Sequence, residues 1–235
     1  MKREVLHAIN RARVNRKAVA TLTGPAGETD RVFHENDLPD GPLGEALARA
    51  FRTGKPGPVE LESGNAFVNV YLPPVRIVVI GAVHISQALA PMARIAGYDL
   101  SVIDPRTAFA TPERFDGVDL RADWPEDVLA ERPLDAHTAL AALTHDPKID
   151  DFPLSAALSA GCFYVGALGS RKTHVKRVER LLALGHTESE IARISAPIGL
   201  DIGAATPAEI AVAVLGDIIA AYRRRGLASP AGDGA

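Results

Sequence analysis

Residues 76–106 read R-I-V-V-I-G-A-V-H-I-S-Q-A-L-A-P-M-A-R-I-A-G-Y-D-L-S-V-I-D-P-R, and this stretch decides the fold. Ile77, Val78, Val79 and Ile80 are β-branched and apolar and stop at Gly81, as a buried strand does before a turn. A helical pattern then runs to Gly97, and residues 100–103 form a second apolar run closed by Asp104. Strand, glycine turn, helix and strand make one βαβ unit. Its turn brings helix N–H groups to face an anion, and an acid after the second strand is placed to meet a ribose. The dinucleotide fingerprint G-x-G-x-x-G is nevertheless incomplete. Gly81 is in place, but Val83 and Ser86 stand where the second and third glycines belong.

Working outward, the remaining C-terminal sequence keeps alternating. Residues 104–117 read as an irregular loop that packs down through Phe109, Arg114 and Phe115, and a short helix starts at Trp124-Pro125. A strand is expected over 139–143, a helix over 152–160, a strand over 162–165 and a turn over 166–170. Ser170 suits the N-cap of a helix over 171–184, and Thr187 and Thr206 each open a capping box, the latter for a long helix to Arg225. Such alternation predicts an α/β fold, a Rossmann-like doubly wound parallel sheet.

Upstream, helices are expected over 4–13 and 43–52 and a strand over 18–23 that ends in a turn at 24–27; strands over 59–61 and 66–72 pair around the turn at 63–65. This predicts a small N-terminal α+β domain over 1–72. Pro73-Pro74 cannot continue a ladder and marks the boundary. The Rossmann-like domain then covers 75–228, and 229–235 is a frayed tail.

Composition narrows the function. The chain has 235 residues, 47% hydrophobic and 23% charged, with net charge −3, so no global basic field favours nucleic acid or anionic lipid. Its single cysteine, Cys162, begins an apolar run and reads as core; one cysteine excludes an intrachain disulfide and suits a reducing cytoplasm. No apolar run approaches the roughly 18 residues of a membrane span. A cytoplasmic protein without membrane or nucleic-acid partners is expected.

Ligands of open parallel sheets sit outside the carboxyl ends of the strands. That rim collects Gly81, Ala82 and His84; Asp104 and Arg106; Thr144, His145 and Asp146; and Gly169, Ser170, Arg171 and Lys172. Cations in a helix's first turn oppose the helix dipole, which at Arg171 and Lys172 points to a bound anion or else to a solvated basic face that Lys176, Arg177 and Arg180 continue. Asp104 and Arg106 offer an acceptor and a cation to a ligand, or a local ion pair. His84, His145 and Asp146 are the candidates for acid–base work, although neighbours on a strand point to opposite faces. Asp201, between Gly199 and Gly203, is an acid in an apolar loop that calls for a partner, with backbone amides as the plainer one.

In order along the chain, Gly81-Ala82-x-His84-Ile85, Asp104-Pro105-Arg106, Phe109-Ala110-x-x-x-Arg114-Phe115, Leu143-Thr144-His145-Asp146, residues 166–174 (G-A-L-G-S-R-K-T-H) and residues 197–203 (P-I-G-L-D-I-G) with Thr206-Pro207-x-Glu209-Ile210-Ala211 resemble the XdhC/CoxI family of molybdenum hydroxylase accessory proteins. The likeness covers residues 75–225. It implies a chaperone or maturation factor that binds molybdenum cofactor, as molybdopterin or its dinucleotide form, protects it during sulfuration and passes it to an apo molybdenum hydroxylase of the xanthine dehydrogenase or aerobic carbon monoxide dehydrogenase type. The partners implied are that hydroxylase and a cysteine desulfurase-type sulfur donor, and a homodimer stays open. Gly81, Ala82, His84, Asp104, Arg106, Thr144, His145, Gly169, Ser170, Arg171 and Lys172 at the rim, with Asp201 in its loop, are the cofactor-binding residues expected, with no metal site. The N-terminal family segments G-S-[ST]-P-R and G-G-C-[VI]-E do not occur in residues 1–72, so within this resemblance the chain looks like a compact or divergent subgroup. Two other readings stay open: an NAD(P)-dependent oxidoreductase on the same rim, against which Val83 speaks, and a non-catalytic interaction module.

Overall fold

The computed structural model describes residues 2–24, 29–62 and 64–225, so the expected tail at 229–235 and most of the expected turn at 24–27 lie outside the described residues. Its contacts divide into two units. One runs to Pro74 and takes in the last described residues from Arg223; the other is Val75–Tyr222.

In the first unit the elements are α1 (Arg3–Val14), β1 (Val19–Thr23), β2 (Thr29–His34), α2 (Pro42–Thr53), β3 (Gly57–Leu61) and β4 (Gly64–Tyr71). The strands form an antiparallel sheet in the order β2-β1-β4-β3. Alternation along β1 sorts its side chains between two helices. Ala18, Ala20 and Leu22 pack with Leu47, Ala50 and Phe51 of α2, while Val19 packs with Val5, Ile9 and Ala12 of α1. β2 has no counterpart among the strands expected from sequence, because T-D-R-V-F-H shows little apolar alternation.

The second unit comprises β5 (Arg76–Ile80), α3 (His84–Ile95), β6 (Asp99–Ile103), β7 (Asp119–Arg121), α4 (Pro125–Glu131), β8 (Thr138–Ala142), α5 (Pro147–Ser159), β9 (Tyr164–Ala167), α6 (Arg171–Ala183), α7 (Glu188–Ile191), β10 (Ile194–Ser195) and α8 (Pro207–Arg224). Its six strands are all parallel in the order β10-β9-β8-β5-β6-β7, the Rossmann order, with the chain reversing direction between β5 and β8. Both faces of the central strands are buried, so β5, β8 and β9 read as largely apolar runs rather than alternating ones, while the edge strand β7 is polar and partly exposed. One face packs Ile77, Val79 and Leu143 against α3 and α8; the other packs Val78, Ile80 and Leu140 against α4 and α5.

Several boundaries move. α5 starts five residues before Phe152, because Asp146 caps it and Pro147 takes the first helical position, where a missing N–H costs nothing. β9 extends to Ala167, so the turn begins at Leu168 rather than Gly166. Gly166 is a strand residue, paired with Ala141 of β8 and Ser195 of β10, and it is glycine because Ile198 and Tyr164 fill the space a side chain would need: a Cβ there would lie 2.6 Å from Ile198 Cδ1. In the loop after β6, Phe115 is buried while Phe109 is exposed, so only part of the expected packing is present. Cys162 lies in the core, where burial, with Asp135 next, pushes its thiol up to about 12. Among the described residues no helix is long and apolar enough to cross a membrane.

Candidate functional site

The turn after β5 sits where the sheet changes direction, and its groups are already engaged. Gly81 has φ +119°, and a Cβ on it would lie 2.9 Å from Thr144 Cγ2, so glycine lets β5 and β8 close together. Ser86, in the third glycine's place, is fully buried. Its hydroxyl accepts from Val83 N at 2.9 Å and donates to Gly81 O at 2.7 Å. Ala82 N donates to Asp104 Oδ2 at 2.7 Å, and Arg114 Nη1 reaches Ala82 O at 3.0 Å and Phe109 O at 2.7 Å. Two N–H groups of the phosphate turn are thus used inside the chain. His84 is exposed at the start of α3.

Asp104 is fully buried at the end of β6. Besides Ala82 N, its oxygens accept from Arg106 N and Arg106 Nε, each at 2.9 Å, and from Arg106 Nη2 at 2.7 Å. Four bonds fill the acceptor sites of a carboxylate. Burial pushes the carboxyl up, but the bonds from Arg106 and Ala82 outweigh it and hold Asp104 below the usual carboxylate range. Arg106 lies over the Phe109 ring at 4.8 Å. The structure therefore uses Asp104 and Arg106 on each other.

At the ends of β8 and β9 the surroundings differ. His145 adopts φ +64°, a strained conformation for a residue with a side chain. Its N–H donates to Asp150 Oδ2 at 3.0 Å, and Thr144 Oγ1 donates to Asp150 Oδ1 at 2.7 Å. Asp146 points elsewhere and caps α5 by accepting from Lys148 N at 3.0 Å, so His145 and Asp146 do not act as a pair. Ser170 caps α6 through Thr173 N at 3.2 Å, as the sequence indicates. Between α5 and α6 opens a pocket of about 300 Å³, with His145 at its edge and Lys172, Lys176 and Arg177 along α6. Arg180 faces it too but is held by Asp151 at 2.5 and 3.0 Å.

Arg177 is the unusual member. It is 2% exposed; Nη2 donates to Leu168 O at 2.9 Å, Nη1 lies 3.4 Å from His174 Nδ1, and buried Nε has no hydrogen-bond partner. No carboxylate lies within ion-pair distance of it among the described residues. Burial, and after it the Arg177 charge, lowers the pKa of both His145 and His174. Asp150, 2% exposed, is pushed up to about 6 by burial, against the Thr144 hydrogen bond and the Arg177 charge. A carboxyl raised in this way contributes stability that is fully present below its unfolded value near 3.8 and is lost as pH rises through about 6. Relative to an Asp150→Asn variant, the protein should therefore lose about 2–3 kcal/mol between about pH 4 and pH 7.5 in chemical denaturation. A pH-independent difference between the two proteins would remove the buried ionisation from the account.

Of the residues singled out in the sequence, His145 and Lys172 meet at this pocket, with Thr144 holding Asp150 beneath it. Gly81, Ala82, Asp104 and Arg106 form the separate, self-bonded turn. Arg171 is exposed and outside the pocket wall, and Asp201 is exposed and makes no hydrogen bond among the described residues, so the backbone partner expected for it is absent. Asp150, Lys176 and Arg177 were missed as site residues. The K-x-x-x-K spacing of Lys172 and Lys176, which puts both on one face of α6, was a signal for Lys176 alone; nothing local marks Asp150 or Arg177. No cluster of three or more metal-ligating side chains exists among the described residues.

Residues 77–218, more than half of the chain, match the family described as the XdhC Rossmann domain. The chain is 33% identical over 164 residues to a Bacillus subtilis protein named as a probable component of xanthine dehydrogenase, in a match that covers 69% of this chain and 48% of that protein. It is 31% identical over 154 residues to an Escherichia coli protein named "Molybdenum cofactor insertion chaperone PaoD", covering 66% of this chain and 42% of that one. The chain thus spans less than half the length of these curated relatives. A crystal structure titled as a xanthine dehydrogenase from Bacillus halodurans superposes with a TM-score of 0.63 at 23% identity, over 97% of this chain and 67% of that one, which shows a shared fold.

Proposed function

This chain belongs to the XdhC family, and from that premise we propose that it is an accessory protein that holds molybdenum cofactor as cargo and hands it to an apo molybdenum hydroxylase. Sulfuration of the cargo by a cysteine desulfurase-type donor while it is held belongs to the same proposal, as does work in the cytoplasm. The names of the relatives from Bacillus subtilis and Escherichia coli support it. The observation that carries it is the cationic pocket between α5 and α6, open at the rim where ligands of such sheets bind. The cargo is a pterin with an anionic phosphate end, and the pocket offers Lys172, Lys176 and the incompletely bonded Arg177 to such a group. Its position at the rim suits a protein that must also release what it binds.

The oxidoreductase reading is weakened by the other half of the rim. Asp104 has no acceptor site left for a ribose, and the N–H groups of Ala82 and Val83 are taken. We expect protein co-expressed with a cofactor pathway to purify with molybdenum and to release a fluorescent pterin on denaturation, while NADH titration shows no saturable binding. Pterin-free protein that binds NADH at micromolar concentration would overturn the proposal.

A further inference from the structure

We propose that the pocket between α5 and α6 is a built site for a tetrahedral dianion of the phosphate-monoester class, anchored by Arg177 and flanked by Lys172 and Lys176. Two independent observations meet there. An arginine 98% removed from solvent keeps a buried Nε without a partner, and among the described residues no carboxylate lies at ion-pair distance, Asp150 and Asp151 acting on it only from farther off. A buried cation in that state is costly, and an anion that reaches it removes the cost. At the edge of the same pocket His145 is held at φ +64°, and strain of this kind persists where the surroundings enforce it, typically at ligand sites.

Charge fixes the class of ligand. The wall carries four cations, Lys172, Lys176, Arg177 and Arg180, against the two carboxylates Asp150 and Asp151. Both carboxylates are directed elsewhere: Asp150 accepts from Thr144 and His145, and Asp151 holds Arg180. A surplus of two positive charges remains, concentrated around Lys172, Lys176 and Arg177, which suits one group carrying both negative charges. A pyrophosphate diester spreads single charges over two phosphates, and in the glycine turn that would hold it the N–H groups of Ala82 and Val83 are already bonded. This inference rests on the accessory reading for its cargo: the chain would take the pterin as its phosphate monoester rather than as a dinucleotide. A free oxyanion such as molybdate shares the chemistry.

The test is calorimetric titration of the full chain, free of cofactor, with inorganic phosphate at constant ionic strength, with molybdate and NAD, a pyrophosphate diester, as parallel probes. Phosphate should bind saturably. Lys172→Ala with Lys176→Ala, both exposed positions, should weaken it about tenfold or more, and Arg177→Met should abolish it. If Arg177→Met fails to fold, the lysine pair alone decides. Phenyl phosphate binding better than molybdate assigns the site to an ester, and the reverse order to a free oxyanion. Absence of saturable phosphate binding, equal affinity in the lysine variant, or NAD binding through the same lysines overturns the site. Phosphate binding in protein that never carries pterin would sink the accessory reading alone, while pterin retention undiminished by the lysine substitutions would sink this pocket alone.

Discussion

Gly81→Val is expected to destabilise the second unit by about 4 kcal/mol, from two costs of about 1–3 kcal/mol each. The first is conformational, since φ +119° lies where side chains are rarely tolerated and a β-branched one least. The second is steric. The Cβ would lie 2.9 Å from Thr144 Cγ2 and 3.3 Å from Thr144 N, so β5 and β8 must part at the point where the sheet reverses. Thr144 is also the residue whose hydroxyl holds Asp150 and accepts from Asp146 N at 3.0 Å, so the displacement reaches the pocket. Urea unfolding should show the lower midpoint, and phosphate binding should fall with it. A midpoint unchanged from the parent would mean that the turn relaxes without moving Thr144.

The same turn shows how far sequence reasoning carries. The βαβ unit was legible because four β-branched residues before a glycine leave little else to form, and the capping boxes were legible because they are local. Thr187 N meets Glu190 Oε2 at 2.8 Å and Thr206 N meets Glu209 Oε2 at 2.9 Å, as the spacing demanded. β7 and β10 have three and two residues, too few to carry a period, and they exist because neighbouring strands template them. Ser86 read as a missing glycine. Only the fold reveals that its hydroxyl closes the turn by bonding Val83 N and Gly81 O.

The pocket was half legible for a related reason. Lys172 announces itself as a cation in a helix's first turn, but Arg177 and Asp150 look like ordinary helix-surface charges. What sets them apart is burial, and burial of a charge is decided by packing between α5, α6 and the β9 turn, not by local sequence. In Rossmann proteins that bind nucleotides, the turn after the first strand faces the anion. Here that turn is bonded to its own chain, and the free cationic groups stand two strands away beside β9. On the proposed reading the anion sits away from the glycine turn, as a shared fold permits.

Asp104→Asn separates the two halves of the rim most sharply. The parent carboxylate is fully buried and accepts four hydrogen bonds, three of them from Arg106, so removing its charge leaves a guanidinium without its partner and sets an amide N–H against other donors. Arg106 is itself about a third exposed and can turn to water, so the loss expected at neutral pH is about 1–3 kcal/mol, below that for a fully buried pair. Because the folded pKa lies below the unfolded value near 3.8, the parent's advantage is present above that value and is lost as pH falls through the folded one. The gap between parent and variant in chemical denaturation should therefore be wide at pH 7 and begin to close below about pH 4. Phosphate affinity of the folded variant should stay at the parent's level, because Asp104 does not line the pocket. If Asp104 served a ribose instead, its substitution would leave stability nearly intact and change nucleotide binding, the opposite pattern in the same two measurements.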